Sequence, residues 1–156
     1  MGVTVDKSSV DKLLARLQAQ KEAINTAIVD ALAGVGEYVS DKIRSGELSS
    51  WINDTGSLRS SVGYAVAHRG KIVRMSDFAT ILNGSEGSRK GRERIAEAAA
   101  EYSTYDYMLI IIAGEDYAVY VEAVENKVVL SSGWLYIKKE LVEILRSKVQ
   151  EAMRGI

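Results

Sequence analysis

The chain has 156 residues, 47% of them hydrophobic and 26% charged, with 20 Lys and Arg against 21 Asp and Glu and a formal net charge of −1. That is enough sequence for one domain with a real core, and too little for two. The balanced charge argues against a general nucleic-acid or membrane-surface binder, which carries a basic excess.

The absence of cysteine excludes disulfides, thiolate metal sites and a cysteine nucleophile. Proline is absent too, so the turns rest on Gly, Asn, Asp and Ser. The first residues lack the basic-then-apolar pattern of a secretory signal. The longest apolar run, Met108 to Ala113, falls far short of the ~20 residues of a membrane span. A soluble protein is expected.

In chain order, residues 1–46 read as an N-terminal helix capped by Ser8 or Ser9. Val10, Leu13, Leu14, Leu17, Ile24, Ile28, Leu32, Val35, Val39 and Ile43 recur every three or four residues and form one apolar stripe. Unbroken, this helix is roughly 50 Å long, against a radius of gyration of about 15 Å for a domain of this size. Either Gly34 and Gly36 interrupt it, or it projects and packs on a neighbouring subunit. A kink near Gly34 is the favoured expectation, and Leu13, Leu17 and Ile24 are the candidate oligomer contacts.

Residues 54–78 read as a turn and hairpin. Val62, Tyr64 and Val66 alternate with Gly63, Ala65 and Ala67, the period of a half-buried strand. His68 to Lys71 then turns the chain into a second strand, Ile72 to Met75. Residues 79–107 form a loop and a helix from Arg89 to about Tyr102. The Gly- and Ser-rich stretch from Ala79 to Gly91 is expected to be weakly ordered and the first site of proteolysis. Residues 108–130 hold an apolar strand, Met108 to Ile112, expected to be buried on both faces. A short helix from Tyr117 to Glu125 and a strand over Lys127–Leu130 complete that stretch. Residues 131–156 form a terminal helix capped by Ser131 or Ser132, with Trp134, Ile137, Leu141, Ile144, Leu145 and Val149 as its buried stripe. The sum is one α+β domain: a small, mainly antiparallel sheet packed by long N-terminal and C-terminal helices, with a helical insertion.

Chemistry is sparse. His68 is the single histidine and reads as an exposed turn residue, since neither a second imidazole nor a nucleophile is in view. Glu93, Glu97 and Glu101 share one helix face beside Arg92 and Arg94, as ordinary surface charge does. Glu115 and Asp116 read as a polar cap on the next helix. Gly84, Gly87 and Gly91 with Ser88, Arg89 and Lys90 lack the ending and the strand–helix context of a phosphate loop. No catalytic, metal or cofactor site is expected.

Two segments carry a resemblance. Asp54-Thr55-Gly56-Ser57-Leu58-Arg59-Ser60-Ser61 resembles the Thr-Gly-x-Leu-Arg-x-Ser signature of the head–tail joining and tail-completion (neck) proteins of tailed bacteriophages. Tyr117-Ala118-Val119-Tyr120-Val121-Glu122 resembles that family's second signature, Tyr-Ala-x-Tyr-Val-Glu. The order of elements matches across nearly the whole chain. The chain departs where the family has an apolar residue and Gly-Thr after the glutamate, and residues 79–107 look like an insertion.

The residues suit a structural role on their own chemistry. Asp54 can make an Asx turn and Gly56 a backbone shape closed to other residues, while Leu58 returns to the core and Arg59 presents a fork of donors. On a helix Tyr117, Tyr120 and Val121 share a face. Both motifs, with Thr55, Ser61 and Glu122, read as fold maintenance before partner contact.

The resemblance implies a virion component assembled in the host bacterial cytoplasm. It would form a ring with copies of itself and with phage connector or tail proteins, with DNA passing through but not bound specifically, and with no cofactor and no membrane. The competing expectation is a small ligand-binding or regulatory bacterial protein, with the tyrosines and tryptophans lining a pocket.

Overall fold

The computed structural model describes residues 2, 4–47, 56–115 and 131–155. The elements are α1 (Lys7–Ser45), α2 (Ser57–Ser61), β1 (Val62–His68), β2 (Lys71–Met75), α3 (Ser85–Glu101), β3 (Tyr107–Ala113) and α4 (Ser131–Arg154). The architecture is α+β, with a three-stranded antiparallel sheet in the order β2-β1-β3.

Helix α1 runs for 39 residues without interruption through Gly34 and Gly36, about 58 Å at 1.5 Å per residue. The expected break at Gly34 does not occur. Gly34 faces open space, and at Gly36 the missing side chain makes room for Tyr64. The cap is Asp6, not Ser8 or Ser9: its carboxylate accepts from the Ser8 and Ser9 amides, each at 3.2 Å. Gly46, at φ 89°, ends the helix and donates to the Ile43 carbonyl. Arg44 in the last turn donates to the Val62 carbonyl through Nε (2.9 Å) and Nη2 (2.7 Å), fixing where β1 starts.

The central strand β1 is buried on both faces, not half-buried. Val62, Tyr64 and Val66 point into a core shared with Leu32, Val35, Val39 and Ile43 of α1 and Ile137 of α4. Ala65 and Ala67, on the opposite face, meet Phe78, Ile95 and Ala99 beneath α3. The alternation of large and small residues therefore separates two covered faces, and the sheet is the middle of three layers. Residues 79–107 accordingly include one whole layer of the domain.

The hairpin at Arg69 (φ 51°) and Gly70 (φ 79°) joins β1 to β2 as expected, a two-residue loop with both residues left-handed. His68, however, is half-buried and stacks on Tyr107 at 4.5 Å between ring centroids. In β3 only Ile110 is fully buried, correcting the expectation of two buried faces. Among the described residues β3 pairs with β1 alone, and so forms an edge.

Helix α4 returns along α1. Gly133 sits beside Val39 and Ile43, and Lys148, Glu151 and Ala152 border a shallow cleft with Ala23, Ala27 and Ala31. Ile137 is buried while Leu141, Ile144, Leu145 and Val149 are half-buried, but Trp134 is 63% exposed, against expectation.

Candidate assembly surface and motif site

The first signature builds a tight junction. Gly56 adopts φ 81°, and a Cβ there would stand 1.9 Å from the Ile81 carbonyl oxygen, so a left-handed glycine is required twice over. The next five residues form a short helix, α2, where a turn was expected. Leu58 is buried in the core as expected, and Arg59 is half-buried. Ser60 and Ser61 are fully buried and act as a paired clamp. Ser60 Oγ accepts from the Ile81 amide at 2.8 Å, Ser61 Oγ donates to the Leu58 carbonyl at 2.7 Å, and the Ser61 carbonyl accepts from the Gly114 amide at 3.1 Å. All these bonds are internal to the fold.

Of the stretch expected to be loose, Ala79 to Asn83 is largely exposed and outside any helix or strand, while Gly84 to Gly91 is packed. Gly84, Gly87, Ser88 and Gly91 are buried, and α3 begins at Ser85 rather than Arg89. A Cβ at Gly87 would meet the Ser57 carbonyl oxygen at 1.9 Å, and one at Gly84 the Gly56 carbonyl oxygen at 2.4 Å. Flexible composition and close helix–helix packing use the same residue, and packing decides here. Sequence spacing held the clue: Gly84, Gly87 and Gly91 are three and four apart, on one helix face.

Glu115 is buried, with its side chain 4% exposed, and it accepts from Ser57 Oγ and from Lys90 Nζ at 2.8 Å. Its backbone amide donates to Ser61 Oγ at 3.3 Å. One carboxylate thus ties β3's end to both α2 and α3. By contrast Glu93, Glu97 and Glu101 are exposed, with Glu93 and Glu97 paired to Arg89 and Arg94. Asp54, Thr55, Asp116, Tyr117, Tyr120 and Glu122 lie outside the described residues, as do the expected helix at 117–125 and strand at 127–130.

The candidate oligomer contacts occupy different settings. Every residue of α1 from Lys7 to Ala19 is exposed, including Val10 (37%), Leu13 (56%), Leu14 (58%) and Leu17 (52%). Ile24 is half-buried, one residue before Asn25, whose side-chain oxygen accepts from the Tyr107 hydroxyl. Burial of Tyr107, with Asp106 adding to it, raises its phenol pKa. The amino-terminal three to four turns of α1 form an exposed arm that extends beyond the other described elements.

A second apolar surface opens at the edge of β3 that is unpaired among the described residues. A groove of about 1030 Å³ lies between α3 on one side and α1 and α4 on the other, with Leu32, Tyr102, Tyr107, Ile110, Trp134 and Leu145 among its walls. Arg146 and Gln150 stand at its polar end. No described helix is long and apolar enough to cross a membrane. Set against protein-family models, curated proteins and solved structures, the chain gives no match.

Proposed function

We propose that this chain is a structural protein of a tailed bacteriophage or prophage, forming part of the head–tail junction. It acts by ring assembly with itself and with neighbouring connector or tail proteins, in a particle built in the bacterial cytoplasm. The observation that carries this reading is the exposed apolar arm of α1. Full burial of a Leu is worth roughly 1.5–3 kcal/mol, and a contiguous exposed apolar surface marks a contact site.

The two signature segments and the order of elements point the arm to a phage neck. Gly56, Leu58 and Ser61 serve that role from the interior, by holding the shape that a ring repeats. A near-neutral charge suits a channel through which DNA slides without being gripped.

The groove favours a second reading, a bacterial protein that binds a small apolar ligand, because Tyr102, Tyr107 and Trp134 contribute to a concave lining. Negative-stain microscopy with light scattering on concentrated protein separates the two. Closed rings with an open centre are expected. A monomer at every concentration that takes up an apolar fluorescent probe stoichiometrically contradicts the ring.

A further inference from the structure

Among the described residues the arm and the groove are two unpartnered apolar surfaces, one convex and one concave. We propose that the groove is the receptor for the α1 arm of a second copy. This deepens the assembly reading above and rests on it.

Dimensions support the pairing. The arm from Lys7 to Ala19 spans about 20 Å of helix, and the groove follows α4 from Gly133 to Gln150, about 25 Å at the same rise. Apart from Arg146 and Gln150 at one end, its lining along α4 is mainly apolar, which suits the stripe of Val10, Leu13, Leu14 and Leu17. An amphipathic helix laid in such a groove is read through anchors at this three-and-four spacing.

The arm cannot fill the groove of its own chain. Ile28 and Leu32 of α1 already form part of the groove wall, and α1 is continuous from Lys7 to Ser45. The arm therefore leads straight away from that wall. Reaching back would require breaking a helix that has no break in it. A second molecule is the natural occupant, and since it offers its arm to a different surface of its neighbour, the contact is head-to-tail and propagates until a ring closes.

The chain contains no cysteine, so single introduced thiols report unique positions. Leu14→Cys protein is mixed with Trp134→Cys protein and oxidised, and in parallel with Leu145→Cys. Trp134 is exposed, so its variant keeps the fold even if the Leu145 variant does not. Glu93→Cys, on the outer face of α3, is the control partner. The expected result is a mixed disulfide at least fivefold more abundant with either groove position than with Glu93→Cys. Arm-to-arm disulfides alone, or equal linking to Glu93→Cys, overturn the proposal. So does preferred linking to Leu135→Cys on the outer side of α4, or a lipid found in the groove by native mass spectrometry. Light scattering separates the two levels. Mixed disulfides in a particle of only two copies keep the docking and sink the ring. Rings without mixed disulfides keep the ring and sink the docking.

Discussion

Gly36 of α1 lies directly against the ring of Tyr64 on β1: a Cβ at position 36 would stand 2.6 Å from Tyr64 Cδ2 and 2.9 Å from Leu109 Cδ1. Two residues earlier, Gly34 has nothing within 4 Å of where a Cβ would go. The two substitutions should therefore differ in sign. Gly34→Ala gains helix propensity and stabilises by about 0.5–1 kcal/mol. Gly36→Ala overpacks the helix–sheet contact and destabilises by about 1–3 kcal/mol. Urea unfolding of the pair is the check, and equal midpoints would mean that α1 does not approach the sheet this closely.

Glu115 predicts a packing defect of a different kind. Its removal takes away the acceptor shared by Ser57 and Lys90 at a buried position. Glu115→Ala should cost roughly 1–3 kcal/mol, and Glu115→Gln less, because the amide oxygen can still accept from Ser57. Thermal unfolding of both variants tests the order. A neutral Glu115→Ala would place the carboxylate in solvent.

The glycine contact between α2 and α3 makes a prediction opposite to the one composition suggests. Protease should spare residues 84–91 in the folded protein, and the Ser88 amide, bonded to the Gly84 carbonyl at 3.1 Å, should exchange slowly. Gly87→Ala should cost at least ~2 kcal/mol, since the Ser57 carbonyl is backbone and cannot step aside.

Much of the fold was legible in the sequence because it follows from periodicity. The α1 and α4 stripes, the β1–β2 hairpin at Arg69-Gly70 and the need for glycine at position 56 all have local causes. What escaped reading depends on what lies across space. The exposed Trp134 and half-buried β3 reflect an open groove, which no window along the chain contains. Glu115 is tied to Ser57 and Lys90, residues 58 and 25 positions away. The arm was legible as an excess of helix over domain size, but Gly34 suggested a kink that the packing of Gly36 on Tyr64 makes unnecessary.

The cap at Asp6 yields a pH test at the arm's root. Hydrogen bonds from the Ser9 hydroxyl and then the Ser8 amide hold its carboxyl below the ordinary aspartate range. Its support of the helix start is thus full above the unfolded value of about 3.9 and is lost as pH falls through the lower folded value. Amide shifts of Ser8 and Ser9 should titrate together with a midpoint below 3.9. A midpoint at or above it would show the cap unformed.

The central claim is that the α1 arm exists to be covered by another subunit. Leu13→Asp and Leu17→Asp, each followed by light scattering at high concentration and by circular dichroism, test it most directly. Both positions are more than half exposed, so the substitutions should change monomer stability by no more than about 0.5 kcal/mol. The predicted result is loss of assembly with the circular dichroism spectrum and unfolding midpoint preserved. Global unfolding of both variants, or assembly equal to wild type, would contradict the account.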